Sequence, residues 1–95
     1  MKFEWDSKKA AANRKKHKVS FDEGISVFAD PLASIFDDED HSDDAERREI
    51  IVGHSILNRI VLVCFTERGK DLVRIFTARL ATKRECEDYE ENTTS

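Results

Sequence analysis

Cysteine is scarce: Cys64 and Cys86 stand far apart, without the spacing of a zinc site or a disulfide framework. A reduced, cytoplasmic protein is therefore expected. No apolar run approaches the ~20 residues needed to cross a bilayer, so a membrane-spanning protein is excluded. Charges begin at Lys2 and continue at Glu4 and Asp6, with no apolar stretch after Met1, so a secretory signal is not expected. Glycine and proline are also few, three and one in 95 residues. A chain of this length buries roughly 60–68% of its unfolded surface, enough for one modest core. One domain over residues 1–91 is expected, with 92–95 as a frayed tail.

What is abundant is charge, 38% of the chain, with 16 basic and 20 acidic residues and a net of −4. Its distribution is uneven. Residues 1–19 carry seven basic and two acidic side chains (+5), and residues 20–55 carry two and eleven (−9). Residues 56–95 carry seven of each. Binding follows the local footprint of basic groups, so overall acidity is only a weak argument against nucleic acid. The +5 segment and the C-terminal arginines could form one basic surface, with the −9 stretch lying elsewhere. The acidic run 37–44, DDEDHSDD, reads as a solvated loop that buries nothing. It lacks the glycine and terminal glutamate of a calcium loop, so no metal site is expected there.

Lys2–Trp5 alternates as a short strand does. Asp6 is a good cap for a helix over Ser7–Lys18, whose alanines can approach a sheet while its lysines stay wet. Ser20 and Glu23 have capping-box spacing before a short helix that Asp30-Pro31 ends. Strands are expected at Leu32–Phe36, Arg47–His54, Arg59–Thr66 and Leu72–Ala78, with short links favouring antiparallel neighbours. Thr82 and Glu85 form a second capping box, opening a last helix to about Glu91. This order describes an α+β domain: a small antiparallel sheet with two N-terminal helices and one C-terminal helix on a single face. In the last strand, Leu72, Arg74, Phe76 and Ala78 would share one side.

The segments FEWD, NRKKHKVSF, DPLA, TERG and RIFTARLATKRECEDYE, in this order and spacing, resemble the BrnT family. The resemblance implies a RelE-like fold and the toxin of a type II toxin–antitoxin pair, an endoribonuclease that inhibits translation. It also implies an antitoxin similar to BrnA, carrying a ribbon-helix-helix part, so that DNA is met only through the antitoxin. Two positions depart from the family pattern: Lys18 stands where glycine is usual after the histidine, and His54 where arginine is frequent.

Metal-free RNA cleavage needs a group to take the 2′-hydroxyl proton, cations for the phosphorane charge, and help for the leaving oxygen. Arginine suits the second role because its fork binds phosphate oxygens and stays charged. Arg74, Arg79 and Arg84 are spaced from the last strand into the last helix, and Lys83 lies in that helix's first turn. The alternative is ordinary ion pairing with Glu85, Glu87 or Asp88. His17 shares a helical face with Asn13 and suits proton transfer at neutral pH, or else caps the helix end. His54, alternating with Arg48, Ile50 and Val52, is a base or acid if that face is open, and otherwise a strand-end histidine. Glu67 offers a carboxylate, although its Glu-Arg-Gly setting equally forms a turn. Lys8, Lys9, Lys15, Lys16, Lys83 and Arg84 are the expected RNA-binding cations. No cofactor and no metal ligand set is expected, and an antitoxin segment over the basic surface should be acidic.

Overall fold

The computed structural model of the chain describes residues 1–94, Thr94 by its backbone only. The elements are β1 (Lys2–Glu4), α1 (Ser7–His17), α2 (Phe21–Ser26), a 3-10 turn (Val27–Ala29), β2 (Ser34–Asp37), β3 (Glu49–His54), β4 (Ile60–Glu67), β5 (Leu72–Leu80) and α3 (Lys83–Thr94). The expected α+β arrangement is present, with a five-stranded sheet in the order β1-β5-β4-β3-β2. No helix among the described residues is long and apolar enough to cross a membrane. Helix α3 continues past Glu91 through Asn92 and Thr93 to Thr94, and the last residue of the expected tail, Ser95, lies outside the described residues.

Local chemistry sets the element ends. Asp6 caps α1 by accepting from the amides of Lys8 (2.8 Å) and Lys9 (3.1 Å). The helix closes at Lys18, whose φ of 59° is left-handed and whose amide donates to the Arg14 carbonyl. Glycine adopts that conformation at the lowest cost, so a lysine here carries a small backbone strain. At α2, Ser20 Oγ accepts from the Glu23 amide at 3.0 Å. The other half of that box is diverted. Glu23 is buried and its carboxylate takes bonds from Ser55 Oγ (2.6 Å), Arg59 Nε (2.9 Å) and a second Arg59 nitrogen. The helix is thereby tied to the β3–β4 turn.

Three details of the sheet differ from the sequence reading. β1 runs parallel to β5, with Lys2, Phe3 and Glu4 opposite Leu72, Val73 and Arg74. A parallel pair needs a long crossover, and the chain between β1 and β5 supplies one. Second, α3 lies on the opposite side from α1 and α2. Val19, Phe21 and Val27 pack with Ile51, Val61 and Val63, whereas Tyr89 packs with Val52 and Leu62, flanked by Ile50 and Ile60. Side chains alternate along a strand, so these two sets occupy opposite faces. The near-continuous apolar runs of β3 and β4 are what central strands covered on both sides require. Third, β5 carries a bulge. Cys64 pairs with Thr77 and Phe65 with Ile75, leaving Phe76 as an extra residue. The bulge turns Ala78 into the core with Val73 and Ile75, away from the side of Arg74 on which strict alternation puts it.

Beyond β1 the outer edge of β5 is held by a side chain instead of a strand. Asn13 Nδ2 donates to the Ala78 carbonyl (2.8 Å) and the Val19 carbonyl (3.0 Å), and its Oδ1 accepts from the Ala78 amide (3.1 Å). The amide of Asn13 thus replaces a neighbouring peptide and fastens α1 to the sheet. Asn13→Ala would strand these buried backbone groups and is expected to destabilise the fold by ~3 kcal/mol. Chemical denaturation checks it, and an unshifted midpoint would show that the edge does not depend on this residue.

Candidate functional site

Lys9, Ala12, Asn13, Lys16 and His17 fall at i, i+3, i+4, i+7 and i+8, one face of α1. Where that face meets the bulge, these residues join Arg48, Phe76 and Thr77 around a cleft of about 320 Å³. Every ionisable residue lining it is basic or histidine. The Arg48 guanidinium carbon lies 3.9 Å from the centroid of the Phe76 ring, and its Nε donates to Glu46 at 3.3 Å. Such a cation over an aromatic face is held in orientation while its outer side stays available. The His17 ring lines the cleft and has no hydrogen-bond partner among the described residues, while the helix end is closed by Lys18.

Arg74, two residues before Phe76 on β5, is outside the lining of this cleft. It lies opposite Glu4 and pairs with its Oε1 at 3.5 Å. Asp6, held below the usual carboxylate range mainly by the amides of Lys9 and Lys8, also feels the charges of Lys9 and Arg74. Arg74 therefore flanks the Asp6–Lys9 end of the basic surface.

The other expected residues lie elsewhere. Arg79 makes a two-pronged pair with Glu85, Nη1 to Oε1 at 2.8 Å and Nη2 to Oε2 at 3.0 Å. That carboxylate also accepts from the Thr82 amide, and Thr82 Oγ1 accepts from the Glu85 amide, so the second capping box closes fully. His54 lies where α3 covers the sheet. Tyr89 Oη donates to Asp30 Oδ2 (2.6 Å), which commits its proton, so the His54 Nδ1–H donates to Tyr89 Oη (3.2 Å). The His54 amide donates to the same Asp30 oxygen at 2.8 Å. Burial and the bond to Asp30 push the Tyr89 hydroxyl up to about 12. Glu67 ends β4 opposite Val73, near Glu49, whose carboxyl is raised by burial and by the charges of Glu67 and Asp37. Arg74 and Glu67 thus mark one end of β5 and β4, while Arg79 and His54 mark the other. Lys15 joins Arg14 and Lys18 on another side of α1, Lys8 is exposed, and Lys83 and Arg84 are exposed at the start of α3.

Sequence reasoning missed Phe76 and Thr77, which the bulge presents, and assigned no role to Arg48. It also misjudged the acidic run. Asp38 is buried, accepting from His41 Nδ1 (2.9 Å) and from Cys64 Sγ (3.4 Å). Burial and Asp38 push the Cys64 thiol up to about 12, which leaves it inert as a nucleophile. Among the described residues no three His, Cys, Asp or Glu side chains gather as a metal-ligating group.

The family profile described as "Ribonuclease toxin, BrnT, of type II toxin-antitoxin system" matches residues 5–85. The chain belongs to the BrnT family. The crystal structure of the Brucella abortus ribonuclease toxin BrnT is similar, with a TM-score of 0.67 and 25% sequence identity over 87% of this chain and 99% of that one. No curated protein sequence matches the chain. The matched span of this BrnT chain includes α1, the bulge, Arg48 and the Arg79–Glu85 pair, and stops short of most of α3.

The Arg79–Glu85 pair carries a pH signature. The Arg79 bonds outweigh burial and, with the Thr82 amide, push the Glu85 carboxyl down to about 2 from an ordinary 4.5. A depressed carboxylate stabilises the fold above its unfolded value, and that contribution disappears as pH falls through the folded one. The stability gap between wild type and Glu85→Gln should therefore be widest above pH 4.5 and close between 4.5 and 2. Thermal melts at successive pH values test this, and a gap of constant size would show that the ionised form of Glu85 is not what stabilises the fold.

Proposed function

We propose that this BrnT chain is a metal-independent endoribonuclease of the cytoplasm that inhibits translation by cutting RNA. A BrnA-like ribbon-helix-helix antitoxin neutralises it and brings it to DNA. The observation that carries the catalytic reading is the cleft at the bulge, where Lys9, Lys16, His17 and Arg48 meet around the Phe76 ring without an acidic side chain in the lining. Lys9 and Lys16 attract the backbone phosphates, with Lys8, Lys15, Lys83 and Arg84 as outlying cations. Arg48 and Arg74 hold the scissile phosphate, and their charge stabilises the phosphorane formed when the 2′-oxygen attacks. His17 is placed to move a proton at the 2′- or 5′-oxygen. Arg79 and His54 serve this site indirectly, by fixing α3 to the sheet, and Glu67 shapes the turn after β4 beyond Arg74.

The donor set supports chemistry without a metal, because guanidinium and ammonium groups here supply the charge that a divalent ion supplies elsewhere. The purified chain should therefore cut single-stranded RNA in the presence of EDTA. Arg48→Ala and Arg74→Ala should each lower the cleavage rate by ~10²-fold while the circular dichroism spectrum stays that of the wild type. Loss of cleavage in EDTA with recovery in magnesium would reject the mechanism. Binding of RNA without any cleavage would instead support a non-catalytic RNA-binding module.

A further inference from the structure

Strand β2 is the last of the sheet, and no strand borders its outer edge among the described residues. A bare edge offers peptide groups to any extended segment, and proteins usually blunt it with charge or cover it. The middle of this edge is apolar, and charge begins only at its end with Asp37. Ile35 is 56% exposed and Phe36 48%, with Leu32, just upstream, 57% exposed. Ile35 and Phe36 point to opposite faces, so an added strand would cover both. Beside Phe36 lies a cavity of about 120 Å³, lined also by Val52, Leu62 and Tyr89 and rimmed by Glu85 and Asp88. Downstream the strand runs directly into residues 37–44, which hold six carboxylates and one histidine.

We propose that the β2 edge anchors the antitoxin, which adds an extended apolar segment flanked by lysine or arginine along Ser34–Asp37 as a sixth strand. This rests on the reading that a protein antitoxin holds the chain. Main-chain pairing would supply affinity, and the cavity beside Phe36 would take one apolar side chain of the segment. The exposed carboxylates Glu39, Asp40, Asp43, Asp44 and Asp88 set the charge of its flanks. A second copy of this chain fits poorly, because pairing two β2 edges would bring two strongly acidic 37–44 runs beside one short ladder. The edge is three strands away from β5 and the basic cleft, so anchoring leaves that cleft to another part of the antitoxin.

Hydrogen exchange on the intact chain, alone and in complex with a BrnA-like antitoxin, tests the proposal. Amides of Ser34–Asp37 should exchange at least ~10-fold more slowly in the complex. Ile35→Asp should weaken the complex by ~10-fold or more and leave RNA cleavage unchanged. A complex that forms while these amides exchange at their free rate would overturn the anchoring site and leave the toxin reading intact. Failure to form any complex would overturn both. Protection of β2 in the chain alone, rising with its concentration, would show that a second copy is the occupant.

Discussion

A single extra residue in β5 determines which side chains the two faces of the sheet receive. Without the bulge at Phe76, strict alternation would carry Ala78 to the side of Arg74 and leave Arg79 on the side of Val73 and Ile75. With it, Ala78 closes the core beneath α1 and α2, and Arg79 lies opposite Leu62 on the side covered by α3. The bulge also lifts the Phe76 ring under Arg48. Its position is secured from outside by Asn13, whose amide pairs with both backbone groups of Ala78 two residues later. The α1 cations therefore reach the cleft because an asparagine on the same helix face takes the place of a missing strand.

The sheet also separates the charge of the chain. Helix α1 and its lysines lie along the β5 edge, and the acidic run follows β2 at the opposite edge. Separation of this kind allows an acidic protein to present a basic surface, because counter-charges several strands away are largely screened at physiological salt. Local pairing does the rest. Glu4 faces Arg74 and Glu46 takes one nitrogen of Arg48, so each of these guanidiniums meets one carboxylate at one nitrogen, whereas the Arg79 fork is filled by Glu85.

Much of the fold was legible in local patterns. Asp6, Ser20 and Thr82 cap their helices as their spacing announces, and each strand is found within about two residues of where its apolar run places it. The site was less legible. Its α1 half follows from helical spacing, which put Asn13 and His17 on one face, but its other half comes from the strand residues Arg48, Phe76 and Thr77. Nothing within the segment RIFTAR marks where the phase of alternation changes. A bulge arises from pairing with another strand and has no local signal of its own.

The same distinction separates what the amino-acid order determined from what folding decided. Caps, strand runs, the basic first helix and the acidic middle are consequences of short-range sterics and composition, so the sequence alone was sufficient for them. The parallel placement of β1, the docking of α3 on the second face and the burial of Asp38 beside Cys64 depend on which surfaces meet. Each joins groups whose proximity is set by the sheet as a whole. Hydrogen bonding and apolar burial reward those contacts only once the chain has closed around them, and for that reason the tertiary structure alone decided them.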